Sequence, residues 1–187
     1  MSTWRVNNFN QVEKLLEFKE GCYYKFNVMT RAADGEKPSL KRSFFVENQK
    51  EFDELKDKMQ EEAKKYNARV YLVLNRQSLF NSYLNMVSEL TNQLKTNQLS
   101  TKALKKTLES VSQTSRDKES KKYVLFDVDT KDLNVLKEVE NALSEFYVDT
   151  FESVKGYHVL ALAKFDTRKY QFENVDVKKD AMVLVYA

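Results

Sequence analysis

Cysteine, histidine, proline and glycine are scarce in this sequence of 187 residues, which has one Cys, one His, one Pro and three Gly. The single cysteine, Cys22, excludes an internal disulfide and fits a reducing compartment. One Cys and one His cannot form a zinc site of the common Cys/His type. Three scattered glycines also exclude a Walker phosphate-binding loop and a dinucleotide-binding fingerprint.

Long apolar runs are absent as well, although the chain is 42% hydrophobic. No stretch approaches the roughly 18 apolar residues of a membrane-spanning helix. The N-terminal segment MSTWRVNNFNQVEKLL lacks the basic start and apolar core of a signal peptide. We therefore expect a cytoplasmic protein without membrane contact, encoded by a cell or by a virus that acts inside its host.

Neither sign of charge is in large excess. The 31 Lys and Arg residues against 28 Asp and Glu residues give a net charge of only +3. Affinity for nucleic-acid phosphates comes from a clustered basic surface. The overall balance permits such a surface without predicting one.

The first 78 residues predict a β-hairpin, a helix and a strand. The segments CYYKFNVMT and SLKRSFFV, within 22–46, are rich in aromatic and β-branched residues, and the Asp-Gly pair between them is a turn signal. Asn48 can cap the following helix, with Glu51 three residues later. The continuous apolar run at 68–75 predicts a central strand.

Residues 79–113 are polar, contain no Gly or Pro and predict two helices with a break near TNQLS. We expect their apolar stripes to pack on the chain's own domain, with docking of a protein partner as the alternative. The segment SQTSRDKESKK (112–122) predicts a charged, flexible connector. The stripes consist of Tyr83, Val87, Leu90 and Leu94 in the first helix and Leu104, Leu108 and Val111 in the second.

The last third of the chain alternates strands with helices, which is typical of an α+β domain with a mixed sheet. Thr130 is the predicted N-cap of its main helix. The predicted strands lie at 123–129, 148–154, 157–163 and 182–186, and the helical segments at 131–146 and 166–171. We divide the chain into an N-terminal α/β half (1–78), a helical insertion with its connector (79–122) and a C-terminal half with the candidate site (123–187).

Two aspartates interrupt the otherwise apolar strand YVLFDVDT. Asp127 and Asp129 point to the same face because side chains alternate along a strand. Desolvating two neighbouring anions is costly unless a cation holds them, and that cation is either a structural Lys or a metal ion. Mg²⁺ and Mn²⁺ prefer carboxylate oxygens. A third carboxylate from a neighbouring strand would complete such a site, and Asp176, shortly before the last strand, and Asp180 are the candidates.

The segment SVKGYHVL places Gly156 two residues before His158, the only histidine. His158 on an adjacent strand could hydrogen-bond a triphosphate, and Gly156 would let phosphates approach the backbone. Lys155, Lys178 and Lys179 supply positive charge for the same anion. Structural roles are the alternative, because an aspartate at a strand end commonly caps the next helix and a lone strand histidine is commonly structural.

In this order, VLFDVDTKD, SVKGYHVL and VDVKKD resemble the catalytic core of the archaeo-eukaryotic primase superfamily, in particular the small stand-alone primase-polymerases of bacteriophages and mobile elements. Those proteins carry an apolar-Asp-x-Asp strand, a strand with a histidine often preceded by Gly, and a later apolar-Asp. The resemblance implies a primase-like core in which Asp127, Asp129 and Asp176 bind Mg²⁺ or Mn²⁺. It also implies that His158 contacts the phosphates of the incoming nucleotide.

More peripheral contacts are implied by the same resemblance. Ser153 and Lys155 would flank the nucleotide. The segment YLVLNRQS is similar to the strand that bears Asn and Arg in many family members, which makes Tyr71, Asn75 and Arg76 candidate contacts of template or nucleotide. The final segment AMVLVYA departs from the family because it lacks the Arg usually found after the third motif.

The resemblance implies an enzyme, a metal-dependent nucleotidyltransferase that makes or extends oligonucleotides in DNA replication. Its partners would be nucleoside triphosphates, a single-stranded nucleic-acid template and a replication protein. Two alternatives stay open. A primase fold can bind nucleotide or single-stranded nucleic acid with weak or no catalysis, or the helices at 79–113 can make the chain an interaction module for a replication or host-defence component.

Overall fold

The computed structural model of the protein describes residues 6–187, without the side chains of residues 112–114. Residues 1–5 of the predicted N-terminal half and those three side chains of the predicted connector lie outside the described residues. The described part contains five α-helices and eight β-strands, and the strands form two four-stranded sheets. This confirms the predicted α+β class. The elements, in chain order, are α1 (Phe9–Glu13), β1 (Cys22–Thr30), β2 (Ser39–Val46), α2 (Gln49–Lys65), β3 (Arg69–Ser78), α3 (Leu79–Lys95), α4 (Thr101–Thr114), β4 (Tyr123–Val128), α5 (Leu133–Ala142), β5 (Tyr147–Glu152), β6 (Tyr157–Leu162), β7 (Val175–Lys179) and β8 (Met182–Tyr186).

The first sheet is built on the predicted hairpin and has the strand order β2-β1-β3-β8. In the Asp-Gly turn, Gly35 adopts a left-handed backbone (φ +79°), which costs glycine little. Asn48 caps α2 by accepting a hydrogen bond from the Glu51 amide, as predicted. The apolar strand β3 is central, and β8, from the far end of the chain, pairs with it.

Two helices follow β3, as predicted, and Ser78 and Ser100 cap them by accepting hydrogen bonds from amides three residues further on. The apolar stripe of α3 does not pack on the chain's own domain. Tyr83, Val87 and Leu94 are exposed. That expectation was wrong because the opposite, polar face of the helix makes the contacts with the rest of the protein.

The connector predicted at 112–122 is anchored over part of its length. Ser115 and Asp117 are buried. The Ser78 amide donates to the Ser115 carbonyl at 2.8 Å, and the Asp117 amide donates to the Arg76 carbonyl at 2.8 Å. The prediction of a flexible segment was wrong for these residues because Arg76, and not solvent, neutralises the Asp117 charge.

The second sheet has the strand order β5-β6-β4-β7. Its connectivity is that of a ferredoxin-like split βαβ unit in which one 3-10 turn, Thr167–Lys169, replaces the second helix. Neighbouring strands are antiparallel in this sheet and in the first sheet. The prediction of a mixed sheet was therefore wrong. The reason is that β4 and β5, which α5 connects in parallel, are separated by β6.

Two local features of this half differ from expectation. Asp132, and not Thr130, caps α5, because its side chain accepts a hydrogen bond from the Asn134 amide at 2.8 Å. The strand β7 was not predicted, since its sequence VDVKK is polar and lies largely exposed at the sheet edge.

The two sheets face each other across the main core. Leu125 and Leu160 of the second sheet share this core with Phe26 and Leu72 of the first. The other face of the second sheet packs under α5 through a smaller cluster around Phe126. Because residues alternate along β4, Asp127 points to the Leu125 side, towards the first sheet. Among the described residues, no helix combines the length and apolar content needed to cross a membrane.

Candidate functional site

A cavity of about 510 Å³ opens between the two sheets. One wall comes from the turn after β1 and from β3 and β8, and the other from β4, β6, β7 and the turns beside them. Five cationic side chains and three carboxylates line it, which leaves a positive balance. These charged residues are Arg31, Arg69, Asp127, Asp129, Lys155, Lys178, Lys179 and Asp180.

Strand register brings three of the predicted site residues onto one face of the second sheet. Asp127 on β4 lies directly opposite His158 on β6 and directly opposite Asp176 on β7. Opposed residues of antiparallel strands point to the same face, with β-carbons roughly 4.5–5.5 Å apart. Asp127 and His158 line the cavity, whereas Asp176 is exposed on the edge strand and does not.

The Asp127 carboxylate is held by two neighbours. His158 Nε2 lies 3.4 Å from Oδ1, and the Lys178 ammonium donates a hydrogen bond to Oδ2. The Leu184 amide donates to His158 Nδ1 at 3.3 Å. This contact makes Nδ1 the acceptor and directs the proton on Nε2 towards Asp127, so the imidazole is held in one tautomer.

Opposing effects set the pKa of Asp127. Burial raises this pKa, but the hydrogen bonds from His158 and Lys178 and their charge interactions outweigh burial and lower the pKa to about 2. Asp127 is therefore ionised at neutral pH, although only 14% of its side chain is exposed. The cation that stabilises this strand aspartate in the structure is Lys178.

The other predicted carboxylates are placed differently. Asp129 lines the cavity just beyond the end of β4. Asp180 lines it from the β7–β8 turn, where it has a left-handed backbone (φ +51°) and accepts a hydrogen bond from Asn75 Nδ2 at 2.9 Å. Within residues 6–187, no three His, Cys, Asp or Glu side chains form a group that could hold a metal ion as they stand.

The donor chemistry nevertheless fits a hard divalent cation. Asp127, Asp129 and Asp176 offer carboxylate oxygens from the end of one strand and from its direct neighbour. The Lys178 ammonium occupies the Asp127 oxygen that a metal ion would need. Because the Lys178 side chain is long, flexible and 45% exposed, it can leave Asp127 without rearrangement of the sheet.

Five of the predicted phosphate contacts line the cavity, namely Ser153, Lys155, His158, Lys178 and Lys179. Gly156 does not line it. A β-carbon on Gly156 would lie 1.9 Å from the Val128 carbonyl oxygen and 2.6 Å from that of Thr130. This glycine therefore permits close packing of two backbone segments, and the expectation that it opens the backbone to phosphates was wrong.

The three residues predicted on β3 have different surroundings. Tyr71 lines the cavity, and the Arg31 guanidinium lies 5.3 Å from the centroid of its ring. Asn75 is buried and reaches the cavity only through Asp180. Arg76 lies outside the cavity, buried in an ion pair with Asp117.

Two cavity cations, Arg31 and Arg69, were not found from the sequence. Arg69 pairs with the Asp34 carboxylate, with Nε 2.8 Å from Oδ2. Arg69 faces Met29 near the end of β1, so strand pairing brings it close to Arg31. The sequence predicts the hairpin and the apolar strand at 68–75 that carry these two arginines. It does not predict the register in which the strands pair, and this register brings the arginines together.

The chain matches no protein-family model, no curated protein and no solved structure. Function is therefore inferred from the cavity. Its positive balance favours an anionic ligand, and an ionised carboxylate lies in it beside an imidazole that is held in one tautomer.

Proposed function

We propose that the protein is a metal-dependent nucleotidyltransferase of the primase-polymerase type, with a primase-like core, that extends an oligonucleotide on a single-stranded nucleic-acid template. The observation that carries this proposal is the register that sets Asp127 beside both His158 and Asp176 at the rim of a cation-rich cavity. Three adjacent strands thereby present two carboxylates and an imidazole on one sheet face. Metal-dependent transfer of a phosphoryl or nucleotidyl group uses groups of these kinds.

The cavity cations support binding of a nucleoside triphosphate. Arg31, Lys155 and Lys179 line the cavity and, across residues 6–187, form no ion pair with a carboxylate. Cations without a close ion-pair partner on a concave surface attract phosphate and form strong charge-assisted hydrogen bonds with it. The contact between Arg31 and Tyr71 supplies a surface on which a nucleobase can stack.

The site residues would act in distinct ways. Asp127, Asp129 and Asp176 would hold Mg²⁺ or Mn²⁺, which stabilises the attacking and leaving oxygens when bound. His158 would donate its Nε2 proton to a phosphate oxygen, because the Leu184 amide keeps the other ring nitrogen as acceptor. Lys178 would leave the Asp127 carboxylate and bind the triphosphate. Its positive charge would then stabilise the negative charge that develops on the phosphate during transfer.

A primer-extension assay tests this proposal. The purified protein is incubated with labelled nucleoside triphosphates, Mg²⁺ or Mn²⁺ and primed single-stranded DNA. The wild type should extend the primer, and Asp127→Asn should lower the product at least about 100-fold, because it removes the charge of a metal ligand and keeps its size. The control is Asp57→Asn, which removes an exposed carboxylate on α2, outside the cavity. No product with the wild type, or equal product with Asp127→Asn, would contradict the proposal.

The second candidate function is binding of nucleotide or single-stranded nucleic acid without turnover. The specific observation that favours it is the closed state of Asp127, whose two oxygens are taken by His158 and Lys178. While Lys178 stays on Asp127, this carboxylate is unavailable to a metal ion, and the remaining cavity cations can still bind phosphate. Binding of labelled nucleotide that persists in the presence of a chelator, combined with no primer extension, would support this function over transfer.

A further inference from the structure

The helix α3 packs on the protein with its polar face inward. Ser82 Oγ lies 2.8 Å from Tyr23 OH, and Asn85 Nδ2 donates to Ser115 Oγ at 3.1 Å. Gln93, in the last turn of α3, is also buried. A surface helix ordinarily turns its apolar stripe towards the core and its polar face to solvent. The orientation of α3 is therefore inverted.

The outward face of α3 carries a regular apolar seam. Phe80, Tyr83, Val87, Leu90 and Leu94 follow one another at steps of three, four, three and four residues, which is the a/d spacing of a coiled coil. Four of them are strongly exposed, at 70%, 67%, 63% and 63% for Phe80, Tyr83, Val87 and Leu94. We call these five residues the α3 seam. Side chains at this spacing can pack between the side chains of a second helix.

The exposed area of the α3 seam is large enough for a protein–protein interface. Together with the neighbouring Leu84, which is 53% exposed, the seam presents on the order of 600 Å² of apolar surface. A two-fold pair of such surfaces would cover on the order of 1,200 Å², the lower end of the range for specific protein–protein interfaces. An interface of this size is typical of weak, reversible association.

We propose that a second copy of this chain covers the α3 seam in a two-fold dimer. The charge distribution favours an identical partner. The only charged residues of α3 are Glu89 and Lys95, and Glu89 lies about 100° or more from every residue of the seam in helical projection. In coiled coils, charges beside the seam set the choice of partner, and a seam without such charges meets its own copy without like-charge repulsion.

Val87 provides a sharp test because it is the middle residue of the 17-residue helix α3. A two-fold axis that relates two α3 seams passes near this position, so each copy's residue 87 lies close to that of the other copy. Val87→Glu therefore places two carboxylates together, and Val87→Lys places two ammonium groups together. Since Val87 is exposed in the single chain, neither substitution should prevent folding.

Sedimentation equilibrium and light scattering after size exclusion, at about 1 to about 100 µM protein, measure the association. The wild type should form a discrete dimer, and Val87→Glu and Val87→Lys should each raise the dissociation constant at least about 100-fold, to give monomers with unchanged circular dichroism. The control is Asn92→Glu, which adds the same charge on an exposed part of α3 outside the seam and should leave the dimer intact.

Mixing the two Val87 variants distinguishes the seam from other interfaces. An equimolar mixture of Val87→Glu and Val87→Lys should recover a dimer, because opposite charges then meet at the axis. A wild type that stays monomeric at about 100 µM, as expected if only a different protein binds this helix, would overturn the proposal. A wild-type dimer that is unaffected by both substitutions would overturn it as well. Both readouts are independent of nucleotide or metal.

Discussion

The carboxylate of Asp127 and the imidazole of His158 face each other across β4 and β6, with Oδ1 3.4 Å from Nε2. Both side chains are at least 86% buried in the rim of the cavity, at 14% and 10% exposure. A hydrogen bond in such surroundings is stronger than in water, and the loss of one partner leaves the other desolvated and unpaired. The two residues therefore act as a unit, together with Lys178.

The low pKa of Asp127 predicts a specific loss of stability in acid. Since the folded pKa of about 2 lies below the unfolded value of about 3.9, the stabilisation is present above about pH 4 and is lost as the pH falls through about 2. It amounts to about 2 kcal/mol. Unfolding by urea should show Asp127→Asn less stable than the wild type by about this amount at pH 6, with the difference vanishing near pH 2. A difference that does not change with pH would contradict the prediction.

Removal of the Lys178 side chain should strengthen metal binding in the absence of nucleotide. Lys178→Ala frees the Asp127 oxygen and removes a neighbouring positive charge. Because Lys178 is 45% exposed, solvent screens much of its charge, and we expect Mn²⁺ to bind only about fivefold more tightly. Paramagnetic resonance of free Mn²⁺ measures this affinity. Lys179→Ala, which removes a cavity lysine that does not bind Asp127, is the control, and an equal gain for both variants would argue against competition at Asp127.

The identity of the third acidic ligand can be decided by two substitutions. Asp176 lies opposite Asp127 in register, whereas Asp180 reaches the cavity from the turn and is bound by Asn75. We expect Asp176→Asn to weaken Mn²⁺ binding and primer extension at least about tenfold, and Asp180→Asn to change both less than about threefold. The reverse result would assign the role to the turn aspartate.

Elements that depend on local chemistry were predictable from the sequence. The hairpin is encoded by the Asp-Gly turn, where Gly35 takes a left-handed backbone, and α2 begins where Asn48 supplies a cap. The strand β4 was evident from its apolar run, and its two aspartates identified the region that became the cavity rim.

Elements that depend on long-range pairing were not predictable. The strand β7 is formed by a polar segment that becomes a strand only because it pairs with β4. Arg31 and Arg69 reach the cavity through the register of β1 and β3, which is set by tertiary packing. The apolar stripe of α3 was recognised, but the sequence cannot show which face of an isolated helix turns inward when the polar face also finds partners.

Gly156 should be intolerant of a side chain for packing reasons. In Gly156→Ala the new β-carbon meets the Val128 carbonyl oxygen, so either β6 or β4 must shift. We expect a loss of at least about 3 kcal/mol in the free energy of unfolding, measured by urea denaturation. The control is Gly35→Ala, where the β-carbon has no neighbour within 4 Å and only the left-handed backbone costs about 1–2 kcal/mol. Equal losses for both variants would contradict the packing explanation.

The ion pair between Arg76 and Asp117 should matter more for stability than for activity. Arg76 Nη2 lies 2.7 Å from Asp117 Oδ2, and both side chains are about nine-tenths buried, so Arg76→Met leaves a desolvated carboxylate without its cation. We expect this variant to lose about 3–5 kcal/mol in the free energy of unfolding, and Arg76→Met/Asp117→Leu to recover most of it, because no buried charge then remains. The double variant should keep nucleotide binding within about twofold, since neither residue lines the cavity. A double variant that is stable but fails to bind nucleotide would instead give Arg76 a direct role at the site.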